Sequence, residues 1–219
     1  MFSHKGEIYN WLSYKENTSH IPISFSRINI FQIQFRRNTM NNINTLNIPM
    51  NDNILNAGIS VRDHALQKHN KVFVQRMDVR FPLELQQKAI IKFNKRFIEK
   101  ERNAGYDPDY IFVRELSKKK HIHYHMALFL DGNKTENTYQ HFHNAETVLQ
   151  NVIGPEYSVK GLIDRCDRGH RNGIMLNRNN PNQDDMKEVE RQLSYLAKED
   201  QKKGVKGKTF STSRINKKK

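Results

Sequence analysis

Two apolar runs separated by four polar residues constrain this chain more than any other feature. Residues 110–116 and 121–130 both have strand-type composition, and the link Ser117-Lys118-Lys119-Lys120 is too short for a crossover connection. The runs must therefore pair as an antiparallel hairpin. A turn about Lys119 sets Glu115 opposite His123 and on the same face of the sheet.

The hairpin sits in a longer series of elements. Val72, Phe73 and Val74 followed by Met77, Val79 and Phe81 predict a strand that ends at Pro82. In residues 83–102, Ala89, Ile90, Phe93, Phe97 and Ile98 recur at helical spacing, and Gly105 and Pro108 close that helix. Asp131-Gly132-Asn133 is a turn, residues 138–152 form a helix, and Gly154-Pro155 is a break. Short strands are expected at 157–163 and 173–176, flanking a loop with Arg165, Arg168, His170 and Arg171. A last helix runs from Asp184, its expected N-cap, to Lys198. The order β-α-β-β-α-β-β-α predicts an α+β fold: a central antiparallel sheet with helices packed on it and the histidine strand near its middle. Before residue 71 the pattern is weaker. Phe31, Ile33 and Phe35 alternate as a half-buried strand would, an asparagine-rich run at 38–56 favours loop, and residues 57–69 suit a short helix.

Composition narrows the function. The chain has 219 residues, enough for one well-cored domain. Lysine plus arginine outnumber aspartate plus glutamate by 37 to 23, for a formal charge of +14 and a pI near 9.8. Such a balance points to a polyanionic partner, with nucleic acid foremost. No run approaches the roughly 18 apolar residues that span a bilayer, so no membrane partner is expected. Nor does the start, Met1 to Trp11, have a signal peptide's apolar segment. The single cysteine, Cys166, has no internal disulfide partner, which fits a reducing, cytoplasmic setting.

Two clusters could carry chemistry. In His123-Tyr124-His125 the imidazoles lie two apart on a strand and so share a face, where Glu115 can add a carboxylate oxygen. Two histidines and one carboxylate with open positions suit a divalent ion, Mn²⁺ or Mg²⁺ before Zn²⁺. His121 shares that face and leaves open which pair is meant, and exposed histidines on a strand are the plainer reading of either pair. His141 and His143 are poor ligand candidates, because on a helix residues two apart diverge by about 200°. The second cluster is Tyr195 and Lys198. Met186, Val189, Leu193 and Leu196 form the buried stripe of the last helix; Tyr195 lies off it, with Lys198 on its own face. A phenol ordinarily titrates near pH 10, so its use as a nucleophile needs a neighbouring cation or metal.

Together these residues resemble the HUH endonuclease superfamily, in which two histidines flank a bulky residue on a strand and a YxxK tyrosine follows on a later helix. The nearer resemblance is to its inovirus-type replication proteins, also called YagK/YfjJ. It rests on Arg76-Met77-Asp78-Val79, Val113-Arg114-Glu115, His123-Tyr124-His125 with the apolar run to Leu130, Ser194-Tyr195-Leu196-Ala197-Lys198, and Phe210-Ser211-Thr212-Ser213-Arg214. It spans about residues 71–214. The resemblance implies an HUH-like catalytic domain at 71–200, with an N-terminal extension at 1–70 and a basic tail at 201–219, in an HUH or RRM-like architecture.

The implied activity is site-specific nicking and joining of single-stranded DNA, or of a DNA hairpin at an origin. Glu115, His123 and His125 would hold the ion, Tyr195 would attack to form a 5′-phosphotyrosine link, and Lys198 would steady the phenolate or contact the phosphate. Rolling-circle-type replication of a phage, prophage or plasmid is the expected setting, with host replication machinery as a further partner. Many HUH relatives carry two tyrosines on the catalytic helix, whereas this helix offers only Tyr195. Asp78 is open between a structural role, a DNA contact and an extra acidic group. Candidate DNA contacts are Arg76, Arg165, Arg168, Arg171, Lys202 and Lys203, the last two in a segment with eight basic residues and no acid. Other readings are transposase or relaxase use of the same chemistry, a noncatalytic nucleic-acid-binding protein, and a zinc hydrolase, against which the absence of an HExxH pattern counts.

Overall fold

A computed structural model of the chain describes residues 49–117, 121–167, 171–199, 202, 204–205 and 207–215. The strand expected around Phe31, Ile33 and Phe35 lies outside them, as do Arg168 and Lys203. The predicted hairpin is present as β2 (Asp109–Leu116) and β3 (Ile122–Asp131), closed by the Ser117 amide donating to the His121 carbonyl at 2.8 Å. Its register pairs Glu115 with His123. On the other side of β3 lies β1 (Lys71–Arg80), pairing Asp78 with His125. The outer edge of β1 takes β4 (Ile163–Asp164) and β5 (Ile174–Asn177), and that of β2 takes β6 (Phe210–Thr212). All pairings are antiparallel, and β3 is the central strand of five in the order β4-β1-β3-β2-β6.

Helices cover both faces. α1 (Asp52–Lys68) and α4 (Gln183–Ala197) pack on one, where Ile54, Ile59, Leu193 and Leu196 meet Val72, Val74, Ile111, Val113, Ala127 and Phe129. α2 (Gln86–Asn103) and α3 (Thr138–Ile153) pack on the other, where Phe93, Phe97, Phe142 and Leu149 meet Phe73, Met77, Phe112, Met126 and Leu128. This double burial explains why β3 reads as a continuous apolar run from Met126 to Leu130 rather than a strict alternation, and why β1 opens with the run Val72-Phe73-Val74. Each fully buried large side chain contributes about 1.5–3 kcal/mol. The fold is thus α+β, four helices on a six-stranded antiparallel sheet among the described residues.

Four details differ from expectation. The strand predicted at 157–163 shrinks to Ile163–Asp164: Gly154 and Gly161 adopt positive φ (97° and 77°), and the backbone around them is used in turns, Tyr157 N–H to Gly154 carbonyl and Leu162 N–H to Val159 carbonyl. Val159 and Leu162 still pack against the core, which is the burial that gives them a strand's composition. The N-cap of α4 is Asn182, whose side chain accepts from the amides of Asp184 and Asp185, leaving both aspartates in the first turn beside the helix dipole. The helix expected at 57–69 begins earlier, at Asp52 with Asn51 as cap, and supplies core residues to the sheet. Finally, part of the lysine-rich segment is ordered into the sheet as β6.

Candidate metal centre and nucleophile

Strand alternation builds this site. On β3 the even residues Tyr124, Met126 and Leu128 face α2 and α3, so His123 and His125 face α1 and α4. The same parity puts Glu115 of β2 and Arg76 and Asp78 of β1 on that face, beside His123, Ala127 and His125 respectively. α4 crosses above them and carries Tyr195.

One ligand atom each from Glu115, His123 and His125 lie within 4.8 Å of one another. Glu115 Oε2 is 2.7 Å from His125 Nε2 and 3.8 Å from His123 Nε2. Glu115 and His125 are buried, and the His123 Nε2 atom is buried without a hydrogen-bond partner. A buried imidazole nitrogen left unpaired beside a carboxylate is costly, and a divalent cation between them would satisfy all three groups. The residues present therefore fit such an ion. His121, exposed and outside the cluster, is not one of the pair. His141 is fully buried and engaged at both ring nitrogens, by Glu101 at 2.7 Å and Thr135 at 2.8 Å, so it holds α3 to α2 rather than a ligand.

Asp78 completes the arrangement, a partnership that sequence reasoning leaves undecided. Its carboxylate lies 2.6 Å from His125 Nδ1, fixing which ring nitrogen points at Glu115. The available signal is an aspartate set between Met77 and Val79 of a predicted strand; its place opposite the histidine is decided by strand pairing. Burial opposes charge on His125, but hydrogen bonds to Asp78 and Glu115 and their negative charges outweigh it, raising its pKa to about 9. Burial likewise works against ionised Asp78 and Glu115, yet His125 holds both carboxyls below their ordinary range. For His123, burial and the neighbouring His125 charge push the pKa down, which keeps its lone pair available.

Tyr195 stands edge-on to His125, with ring centroids 5.9 Å apart, and is 40% exposed. Two cations lie over its ring: Lys198 Nζ at 4.1 Å and the Arg76 guanidinium carbon at 4.8 Å from the centroid. The tyrosine–lysine pair expected on one face is thus together, although Lys198 is the C-cap rather than a helical residue. Burial and the carboxylate of Asp78 raise the Tyr195 phenol above its ordinary value, with Arg76 acting in the opposite sense.

The candidate DNA contacts separate. Arg76 is 7% exposed and belongs to the site, 3.6 Å from Asp78. Arg165 stacks over Phe142 and Tyr139 of α3, and Arg171 pairs with Asp185 at 2.7 Å in the first turn of α4. Lys202, expected on a solvated tail, is buried and donates to Glu115 Oε1 at 2.8 Å. Composition assigns a lysine-rich segment to solvent because it cannot register that one of its lysines meets a buried carboxylate.

Among the described residues no helix is long and apolar enough to cross a membrane. No curated protein and no solved structure matches the chain. The family model described as YagK/YfjJ C-terminal domain matches residues 34–213, a span that includes every residue of this centre, and the chain belongs to that family.

Proposed function

We propose that this protein is a metal-dependent tyrosine endonuclease of HUH type that nicks and rejoins single-stranded DNA, initiating rolling-circle-type replication of a phage, prophage or plasmid. The observation that carries this reading is the position of Tyr195, edge-on to His125 on the face where three ligand atoms converge. A phenol half-open to solvent beside such a set suits attack on a phosphodiester better than structural packing. The charge of +14 supports a polyanionic substrate.

Glu115, His123 and His125 would hold the ion, most suitably Mn²⁺ or Mg²⁺, and the chemistry it supplies is neutralisation of charge developing on the scissile phosphate. Tyr195 Oη forms a bond to phosphorus as the bond from phosphorus to the 3′ oxygen breaks. That oxygen leaves as a 3′-hydroxyl, taking up a proton as the phenol loses one. The product is a 5′-phosphotyrosine, which conserves the energy of the broken ester, so the free 3′-hydroxyl can later attack it and rejoin the strand. Arg76 favours the phenolate that burial otherwise disfavours, and Lys198, whose ammonium lies over the ring, would steady it or contact the phosphate. Asp78 keeps Nε2 of His125 directed at the centre.

The test incubates the full chain with Mn²⁺ and a pool of single-stranded fragments that includes its own gene and flanking sequence, followed by denaturing gels. A protein–DNA adduct is expected, lost in Tyr195→Phe, in His123→Ala, in His125→Ala and with chelator. Cleavage that survives Tyr195→Phe would identify water as the nucleophile. Binding without an adduct across a pool containing the native origin would identify a noncatalytic nucleic-acid-binding protein.

A further inference from the structure

The two oxygens of Glu115 have different partners. Oε2 faces the histidines, at 2.7 Å from His125 and 3.8 Å from His123, while Oε1 accepts from the Lys202 ammonium at 2.8 Å. The Lys202 side chain is 7% exposed, and a second donor contact runs from its ammonium to the carbonyl of Lys198, at the end of the tyrosine helix. An ammonium this buried is costly unless paired, so the contact is a built feature of the fold rather than a surface lysine at rest. Its backbone is held as well. The Lys202 amide donates to the Glu199 carbonyl at 3.0 Å, the Val205 amide donates to the Lys202 carbonyl at 3.2 Å, and the Glu199 amide is tied to the Pro49 carbonyl at 3.0 Å.

We propose that Lys202 is a positioning residue that confines Glu115 to single-oxygen coordination of the divalent ion and thereby sets which ions the centre accepts. The inference rests on the metal-centre reading above. A carboxylate can bind a cation through one oxygen or chelate it through both. Chelation suits calcium, which takes about six to eight oxygens in a flexible shell, better than the smaller octahedral ions. With Oε1 committed to Lys202, one oxygen and two imidazole nitrogens remain. They fill three of about six positions on a small octahedral ion and leave the others for substrate oxygens or water. The same ammonium joins that carboxylate to the Lys198 carbonyl, and Lys198 Nζ lies over the Tyr195 ring. One buried cation thus links the ligand set to the end of the helix that bears the nucleophile.

The test compares the full chain with Lys202→Met and Lys202→Arg, following Mn²⁺ binding by the electron paramagnetic resonance of the free ion and Ca²⁺ binding by competition. Removing a positive charge favours both divalent ions alike, so the ratio of their affinities isolates the coordination of Glu115. The wild type should prefer Mn²⁺, Lys202→Met should narrow that preference by about tenfold as the second oxygen becomes free to chelate, and Lys202→Arg should restore it by donating to the same oxygen. Circular dichroism checks the fold; if Lys202→Met does not fold, Lys202→Gln, whose donor is too short to reach Glu115, carries the same expectation. An unchanged ratio in the folded variant overturns the role of Lys202 while leaving the metal centre standing. A wild type that binds no Mn²⁺ overturns the metal centre and this role with it.

Discussion

His125 is the residue on which most of the site's energetics turn, because it lies between two carboxylates and its Nε2 lone pair is also the one a cation needs. In the metal-free protein its folded pKa of about 9 exceeds the ordinary 6.5, so its stabilising contribution is complete below 6.5 and is lost as pH rises through 9. Asp78 and Glu115 are lowered, so theirs is present above the ordinary carboxylate range and lost as pH falls through their folded values. A cation reverses the alkaline limb, since binding must expel the His125 proton. The temperature midpoint of metal-free unfolding should fall as pH rises from about 6.5 to about 9, and the increase produced by Mn²⁺ should grow over the same range. A Mn²⁺-induced increase that is flat with pH would refute the assignment of His125 as a ligand. Asp78→Asn keeps the shape but removes the charge behind the imidazole, and should weaken Mn²⁺ binding by about 10–100-fold in calorimetric titration. The ligands themselves are legible from parity along two strands. The Asp78 contact is not, because it depends on the register of a third strand that is distant in sequence.

At the scale of elements, the position of Tyr195 depends on how α4 seats against α1 and the sheet. Gly58 of α1 allows the close approach: a Cβ there would come within 3.0 Å of Leu193 Cδ2. Leu193 is 2% exposed and precedes Tyr195 by a fraction of a helical turn, so it anchors the segment of α4 that carries the phenol. Leu193→Ala should therefore cost about 2–5 kcal/mol in denaturant unfolding and lower adduct yield more than DNA affinity. Gly173, at the start of β5, has φ of +81°, and a Cβ would lie 2.7 Å from Thr138 and 2.9 Å from Phe73. Gly173→Ala should destabilise by roughly 1–3 kcal/mol, read from the same unfolding curves. The helices and main strands follow from periodicity, which reports which face is buried. β6 and the shortened β4 do not, because two or three residues carry no period and pair only where a longer strand presents an edge.

For the whole molecule, the excess of positive charge predicts a strong salt dependence of single-stranded DNA binding. The logarithm of affinity should fall linearly with the logarithm of salt concentration, with a slope of about −0.7 for each phosphate neutralised, measurable by fluorescence anisotropy. A slope near zero would remove the nucleic-acid reading. By itself the sequence determined the α+β class, the antiparallel hairpin, the excess of positive charge and the convergence of two histidines with one glutamate on one face, since each follows from composition, local period or turn length. Only the tertiary structure decided that both faces of the sheet are covered, that Asp78 backs His125, and that Lys202 leaves a basic segment to lie against Glu115. Those outcomes depend on contacts between residues far apart in the chain, where the cost of burying a charge is set by the partner that awaits it.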